Sequence, residues 1–461
     1  MIAPIDHYFE FAYPATTSTI IPNPFGDRIT PRLINIIARF LIMATTTQLA
    51  DLESFLQENP KIHYIAPSSP DYADARIVYN ASRADNPLAI VQPQCHSDVC
   101  ALIKYAKRKS LPFTLRVGGH NLEGRAVVED ALLIDLRALT GVTVAPDQKC
   151  ATIQGGTLQG EVGNTLWAAG LGTPIGLIPS VGYAGWAVYG GYGPFSAHWG
   201  LGVDQIIAAT VVNSDGEIIQ ADEALLEGIR GAGGLYGVIL ELVVKVYPIS
   251  KILTGPIIFD SADIHKTFVR FVWSGMDLEE GQFWSRKIVS LGPVVMNAIA
   301  PTTVPEILAN TGAHVPSRVY GSAFTHNVSI ISSETAEAIG RGIAKLPKDP
   351  GTIISIHQLR GKSTKSHVAS VFDARDPHFM LEILGFSKEA WAAGVAEDVS
   401  QASQHNVLPT GYISLYNSLL QADSPAAYLE KTYGSKVKVL KILKSRFDPE
   451  NVFQLTVPTL K

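Results

Sequence analysis

The chain has 461 residues, two to four times the length of a typical domain, and its formal net charge is −5. Hydrophobic residues make up 46 % and charged residues 17 %, a composition that indicates a large folded enzyme and excludes a disordered chain. The longest basic run is KRK at 107–109, which argues against a face that binds nucleic acid. Cys95, Cys100 and Cys150 form neither a disulfide framework nor a paired metal-ligand motif, so we interpret them as structural thiols and expect no metal site.

The N-terminal region contains one apolar segment, residues 33–43, which Arg39 interrupts and which is too short to span a bilayer. Acidic residues precede it, unlike in a standard secretory signal. We therefore expect an N-terminal extension over 1–46, no membrane span and a cytoplasmic protein.

A strand, helix, strand unit begins near Ala89. LAIVQP predicts a strand, SDVCALIKYAKRKSL a helix capped by Ser97, and PFTLRV a second, parallel strand. The glycines after Val117 then fall at the carboxyl edge of the sheet, where α/β proteins bind ligands. Further strands are predicted in ALLIDLRAL, VTVAP and CATIQGG, followed by a helix capped by Thr157 and a hairpin around Asp215-Gly216. We expect the first domain to close near Pro248.

The remainder alternates strand-like runs, such as KILTGPIIFD and GTIISIHQL, with helix-like runs, such as SSETAEAIGRGIAKL. This pattern indicates a separate α+β domain from about 251 to 420. An amphipathic helix follows and ends at Asp448-Pro449.

Two glycine-rich stretches lie about sixty residues apart, at 118–119 and 172–194. Paired glycines after strands let backbone N–H groups converge on a pyrophosphate, although tight turns alone would also use them. A Rossmann interpretation fails because GAGGLYG at 231–237 precedes a strand rather than a helix. Walker A, HExxH and GxSxG motifs are absent from the sequence.

RVGGHNLEGRAVVEDALLIDLRAL resembles the first FAD-binding element of the vanillyl-alcohol-oxidase and p-cresol-methylhydroxylase (PCMH) flavoprotein superfamily. GLIPSVGYAGWAVYGGYGPFSAHWGLGVDQ resembles the second element, and RFDPENVFQ the C-terminal signature of the berberine-bridge-enzyme-like branch. These matches cover under half of the chain, from about 89 to 248 and from 433 to 453.

The resemblance implies an α+β protein with a PCMH-type FAD-binding domain of two α/β subdomains and a substrate domain with an antiparallel sheet. The implied boundaries are an extension over 1–46, the FAD domain over 47–250, the substrate domain over 251–422, and a segment over 423–461 that returns to the FAD domain. The positions matched to FAD contacts are Arg116, Gly118, Gly119, His120, Asn121, Leu122, Pro179, Ser180, Val181, Gly182, Gly185, Gly190, Gly191, Tyr192, Gly193, Gly237, Val238 and Asn451.

In this family the motif histidine is bonded covalently to the flavin, and His120 occupies its position. A second, cysteinyl link occurs in many relatives, but Ile178 stands where that cysteine would be. A single histidyl link is therefore implied, as in 6-hydroxynicotine-oxidase-like relatives. Val181 matches the position that admits dioxygen in oxidases.

The implied activity is the oxidation of a small specialised metabolite, an alcohol, phenol or amine, by hydride transfer to flavin N5 and reoxidation by dioxygen to hydrogen peroxide. Tyr412 and Tyr416 are the candidate catalytic bases, and His357, Arg360 and Asn417 the candidate substrate-pocket residues. Two alternatives stay open: a flavin-containing non-redox cyclase of the pericyclase or Diels–Alderase kind, and a non-catalytic protein with a degenerate cofactor site.

Overall fold

The computed structural model describes residues 46–83, 85–260, 267–347, 352–385, 389–408, 410–411 and 424–460. Residues 52–461 form one compact unit, and residues 1–51 are a second. None of the helices in these described ranges is long and apolar enough to cross a membrane.

The protein is a mixed α/β structure with several antiparallel sheets, as the sequence predicts. The strands are β1 His63–Ile65, β2 Ala89–Gln92, β3 Phe113–Arg116, β4 Leu132–Asp135, β5 Val142–Val144, β6 Cys150–Gln154, β7 Leu171–Gly172, β8 Ile206–Val212, β9 Ile218–Gln220, β10 Val238–Lys245, β11 Tyr247–Pro248, β12 Ile252–Phe259, β13 Thr267–Trp273, β14 Val294–Asn297, β15 Ala300–Thr302, β16 Ser322–Val328, β17 Ile353–Leu359 and β18 His378–Gly385. Residues 46–58 are helical, and the later helices are α1 Tyr72–Ala75, α2 His96–Lys109, α3 Gln159–Ala168, α4 Tyr183–Ala187, α5 Ser196–Trp199, α6 Gly202–Gln205, α7 Glu223–Ala232, α8 Leu278–Val289, α9 Val304–His314, α10 Ser333–Ala344, α11 Glu389–Ala402, α12 Pro425–Tyr433 and α13 Val437–Phe447.

The first sheet has the strand order β1-β2-β4-β3. The strands β2 and β3 run parallel, as predicted, but β4 lies between them and pairs in parallel with both. Every residue of β4 is buried, which its continuous apolar sequence favours. The carboxyl ends of β3 and β4 therefore lie side by side, and the first glycine loop leaves from this edge.

The second sheet is antiparallel, with the order β5-β6-β10-β8-β9. Its β8–β9 hairpin turns at Asp215-Gly216, as predicted, and Gly216 has a φ of 72° that favours glycine. The second glycine-rich stretch runs between β7 and β8 and contains the short helices α4 to α6.

Two predicted helix caps are wrong. The helix α2 begins at His96, one residue before Ser97, because the Asp98 carboxylate accepts hydrogen bonds from the backbone N–H groups of Gln94 and Cys95. The helix α3 has Leu158 at its N-cap position, and the Thr157 hydroxyl instead hydrogen-bonds to the backbone of Gly141.

The later part of the chain contains two further antiparallel sheets. One has the order β13-β12-β14, with β15 also paired to β12, and the other has the order β16-β18-β17. The apolar side chains of α10 and α11 pack against one face of the β16-β18-β17 sheet, in a cluster that includes Leu381 and Ile383 of β18. Because side chains alternate along a strand, Met380 and Glu382 lie on the opposite face.

The parts before and after residue 250 share one hydrophobic core. Leu308 of α9 lies against Gly163 of α3, where an added Cβ would overlap its side chain. The C-terminal segment also contacts the earlier part, since the Tyr433 hydroxyl donates to Gly231 O at 3.1 Å and Lys444 Nζ to Leu235 O at 3.1 Å. The domain boundaries at 250 and 422 stay a prediction.

Candidate flavin site

The two glycine-rich loops predicted to form one site are in direct backbone contact. A Cβ added at Gly118 would overlap the Ser180 carbonyl oxygen and lie 2.5 Å from the Gly182 nitrogen. A Cβ at Gly182 would in turn lie 2.7 Å from Cγ1 of Val117. Glycine at 118 and 182 is therefore required for the contact.

The strand ends hold the first loop through a buried ion pair. Arg116 and Asp135 are paired in register at the ends of β3 and β4, and their side chains lie 2.5 Å apart at Nη2 and Oδ2. Arg137 also donates to Asp135, at 2.8 Å. Burial raises the pKa of Asp135, but the hydrogen bonds and charges of Arg137 and Arg116 outweigh it and hold that pKa at about 2.

The guanidinium of Arg116 is 2 % exposed and also donates to the carbonyl oxygens of Ala75 and Ile77. It thus fastens the segment 75–77 to the sheet. A contact between this side chain and FAD stays a prediction.

His120 joins the two loops. Its Nε2 lies 2.9 Å from the Ser180 hydroxyl oxygen, and its ring stacks on Tyr79 with centroids 4.1 Å apart and planes inclined by 23°. Burial lowers the pKa of His120 to about 4, so the imidazole is neutral near pH 7. No described residue hydrogen-bonds to its other ring nitrogen, Nδ1.

Polar groups after His120 hold the shape of the first loop. The Asn121 side-chain oxygen accepts from the Arg125 backbone N–H at 3.1 Å, and the Leu122 carbonyl accepts from Asn80 Nδ2 at 2.8 Å. Asn80 is 1 % exposed and donates also to Gly321 O at 3.0 Å, just before β16. Asn80 is a positioning residue that the sequence analysis missed.

In the second glycine-rich stretch, the carbonyl oxygens of Pro179 and Val181 accept hydrogen bonds from the first two backbone N–H groups of α3. Val181 is half-buried next to the exposed Ser180. Gly185 lies within α4, and a Cβ added there would meet no atom within 4 Å. This turn of α4 therefore borders open space between buried neighbours.

The same stretch continues through Gly190 and Gly191, whose φ angles of 128° and 76° favour glycine. A Cβ at Gly191 would lie 2.7 Å from the Cα of Gly202, and one at Gly193 would overlap Ile175 O. The Tyr192 hydroxyl lies 3.3 Å from Nε2 of His378 in β18. These glycines thus permit close backbone packing, and Tyr192 connects the loop to the later sheet.

Gly237, Val238 and Asn451 lie away from these two loops along the chain. Val238 begins β10, is fully buried and pairs with Val212, whose carbonyl lies 2.7 Å from a Cβ added at Gly237. Asn451 has a φ of 54°, and its buried side-chain oxygen has no hydrogen-bond partner among the described residues. FAD contacts by these three residues stay predictions.

His357 and Arg360, predicted together in the substrate pocket, lie on different faces of the β16-β18-β17 sheet. His357 Nε2 is 3.1 Å from Oε2 of Glu382. Arg360 donates to the carbonyls of Leu359 and His378 and lies over the ring of Phe379, on the face covered by helices. The structure does not bring the two predicted residues together.

Glu382 is the most informative residue that the sequence analysis missed. Its side chain is 13 % exposed, and it lies close enough to Tyr79 to help burial raise the pKa of that phenol. Tyr79 is therefore in contact with His120 of the first loop and within electrostatic range of Glu382 of the sheet. The sequence did contain one indication of Glu382, a single carboxylate within the largely apolar strand HFMLEILG.

Three predicted residues, Tyr412, Tyr416 and Asn417, lie outside the described residues.

The geometry fits a dinucleotide with a flavin. Two loops meet through glycines at 118 and 182, α4 borders open space at Gly185, and the neutral His120 has no hydrogen-bond partner at Nδ1 among the residues that the structure describes. These features are those of a backbone cradle beside a reactive imidazole.

Comparison with known proteins supports this interpretation. Residues 87–222 match the model of an FAD binding domain. The chain is 29 % identical to the FAD-linked oxidoreductase aurO of Gibberella zeae over 86 % of this chain and 85 % of that protein. It is 24 % identical to (R)-6-hydroxynicotine oxidase of Paenarthrobacter nicotinovorans over 82 % of this chain and 92 % of that protein.

Solved structures share the fold. Berberine bridge enzyme from Eschscholzia californica superposes with a TM-score of 0.77 at 19 % identity, covering 89 % of this chain and 99 % of that one. The 6-hydroxy-D-nicotine oxidase of Arthrobacter nicotinovorans superposes with a TM-score of 0.74 at 21 % identity, covering 86 % and 96 %. The chain therefore has the fold of these oxidases, with an FAD binding domain over residues 87–222.

The predicted resemblance is confirmed. The chain contains an FAD binding domain, is similar over most of its length to FAD-linked oxidoreductases, and has the fold of berberine bridge enzyme.

Proposed function

We propose that this enzyme oxidises a small alcohol, phenol or amine, with hydride passing to flavin N5 and dioxygen accepting the electrons to give hydrogen peroxide. One observation carries the proposal: Tyr79 stacks on His120 of the first glycine loop, and the charge of Glu382 helps burial to raise the pKa of the Tyr79 phenol. A substrate held between the sheet and the flavin would thus lie beside a proton acceptor.

The cofactor is held covalently, through His120 alone. A neutral imidazole has a lone pair available for bonding, and His120 is neutral near pH 7 because it is buried. Ile178 cannot supply the second, cysteinyl link. When bound, FAD would supply the hydride acceptor that the amino-acid side chains do not provide.

Glu382 takes the proton from the substrate hydroxyl or amine. Its neighbour His357, 3.1 Å away, orients the carboxylate and can pass the proton to solvent because its own side chain is 45 % exposed. This assignment adds to the candidates Tyr412 and Tyr416. Val181, which is half-buried, matches the position that admits dioxygen in oxidases of the resembled family.

Anaerobic mixing of the purified enzyme with candidate alcohols, phenols and amines tests the proposal. We expect the true substrate to bleach the oxidised flavin band, and admission of air to restore the band and release one equivalent of peroxide. Substrate turnover without bleaching would contradict oxidation and establish the non-redox cyclase. A protein purified without flavin would contradict both.

A further inference from the structure

A small cavity lies beside the first glycine loop, and none of the residues predicted to contact FAD lines it. Its volume is about 140 Å³, and its lining consists of Ala73, Arg76, Ile77, Val78, Arg83 and Arg318. Three of these side chains are arginines, and none of the lining residues that the structure describes is acidic. Three like charges around one small cavity repel one another, which lowers stability unless an anion lies between them.

Arg83 provides an observation that is independent of the charge count. Its Nε atom is buried and has no hydrogen-bond partner among the described residues. The stem of the side chain packs on Gly124 of the first loop, where an added Cβ would lie 2.8 Å from Cγ of Arg83. A buried charged donor without an acceptor costs stability, so this arrangement favours a ligand that carries oxygen acceptors.

Arg318 reaches the cavity from a distant part of the chain. The next residue, Val319, donates its backbone N–H to Tyr79 O at 2.9 Å and accepts from the Ala81 N–H at 2.7 Å. This pairing holds the chain that enters β16 alongside the segment 73–83. Arg318 is exposed, and it forms no ion pair with a carboxylate in the described part of the chain. Its charge is therefore available to a ligand.

The size and donor set of the cavity indicate the class of ligand. Arginine presents a planar fork of N–H donors that matches the oxygens of phosphate or sulfate. The cavity has the volume of about five water molecules, which is the space that one such group occupies. Arg76 is held in place by a hydrogen bond from Nη1 to the Asp85 carbonyl at 3.1 Å. Ile77 is 41 % exposed and offers an apolar contact to the organic part of a phosphate ester.

We propose that Arg76, Arg83 and Arg318 bind a phosphate or sulfate group beside the first glycine loop. The ligand joins chain segments that lie far apart in the sequence. Val78, which lines the cavity, also contacts the first loop, since its Cγ1 lies 3.4 Å from a Cβ added at Gly119. Binding therefore strengthens the docking of the chain that enters β16 onto this loop. The inference goes beyond the proposed oxidation and does not depend on it.

Isothermal titration calorimetry of the flavin-loaded full chain tests the site. The probes are inorganic phosphate and phenyl phosphate, with sodium chloride holding the ionic strength constant, and the flavin-free chain is titrated in parallel. The variants are Arg318→Ala, Arg318→Lys and Arg83→Gln. The matched control is Arg286→Ala, which removes an exposed arginine of α8 that does not line the cavity. Circular dichroism and flavin content establish that each variant is folded.

We expect the parent protein to bind phosphate at a single site. Arg318→Ala and Arg83→Gln should each weaken binding by about tenfold or more, because a hydrogen bond from a charged group contributes at least about that factor. Arg318→Lys should fall between the parent and Arg318→Ala, since it keeps the charge and loses the planar fork. Arg286→Ala should bind as the parent does. Tighter binding of phenyl phosphate would assign the group to an organic ester, and tighter binding of inorganic phosphate would assign it to the free ion.

Several results would overturn the inference. One is the lack of saturable binding by either probe, and another is an unchanged affinity in both Arg318→Ala and Arg83→Gln. Equal weakening in Arg286→Ala would show a general attraction of anions to the protein surface. Binding to the flavin-free chain alone would place the anion in the flavin cradle. Substrate oxidation is tested separately by flavin bleaching, so failure of this site is distinguishable from failure of the proposed function.

Discussion

The two glycine loops and the β16-β18-β17 sheet position their side chains in different ways. In the loops, a close backbone contact between Gly118 and Gly182 brings the His120 ring within hydrogen-bond distance of the Ser180 hydroxyl, so the geometry depends on residues that lack side chains. In the β16-β18-β17 sheet, strand alternation presents Glu382 and His357 from rigid neighbouring strands. Under the proposed function, changes in the loops should affect flavin content, and changes in the sheet should affect the rate of substrate oxidation.

Removing the imidazole gives the largest expected effect on the loop side. His120→Ala should contain no acid-stable flavin, because no second covalent link is available with isoleucine at 178. The measurement is flavin absorption in acid-precipitated protein. Acid-stable flavin in this variant would place the attachment elsewhere.

The corresponding change in the sheet is Glu382→Gln, which keeps the shape of the side chain and removes the carboxylate proposed as the base. We expect hydride transfer to slow by about 10²- to 10⁴-fold while the covalent flavin content stays at the parent level. Anaerobic stopped-flow reduction of the flavin measures the rate. Loss of flavin from this variant would contradict the assignment of flavin retention to the loops. An unchanged rate of flavin reduction would contradict the assignment of Glu382 as the base.

The buried ion pair beneath the first loop supports a stability prediction. The folded-state pKa of Asp135, about 2, lies below the ordinary value of about 3.9. The ionised carboxylate therefore adds to the free energy of unfolding above pH 4, and this contribution is lost as pH falls toward 2. Asp135→Asn should cost about 3–5 kcal/mol at pH 7, because it leaves Arg116 buried without its charge partner. Urea unfolding at several pH values should find this difference shrinking below pH 4, and a pH-independent difference would contradict the electrostatic cause.

Much of the fold and part of the site follow from local sequence rules. Strand ends followed by glycines predict the ligand edge of the first sheet, and the two loops do meet. The insertion of β4 between β2 and β3 could not be predicted, because strand order depends on which apolar faces pack together over long separations. Glu382 was missed for a related reason: a lone carboxylate in a strand looks like a solvent-facing residue until the fold buries it beside His357.

Gly118→Ala and Gly185→Ala form a matched pair within the loop region. The first should destabilise the apo-protein by about 1–3 kcal/mol, because the new methyl group overlaps the backbone of the second loop. The second should leave the free energy of unfolding nearly unchanged, because its methyl group meets open space. Thermal unfolding of both apo-proteins measures the difference, and equal destabilisation would show that the two loops are not docked without FAD.

The smallest expected effect is the pH dependence of attachment. A histidine with the ordinary pKa of about 6.5 would be protonated roughly ten to one at pH 5.5, and attachment would slow about tenfold between pH 8 and that value. Burial lowers the pKa of His120 to about 4, so its neutral fraction stays nearly complete over this range. The initial rate of acid-stable flavin formation should therefore change by less than about twofold. A tenfold fall would mean that His120 is solvated before FAD arrives, and that the loop contact with Ser180 forms only on binding.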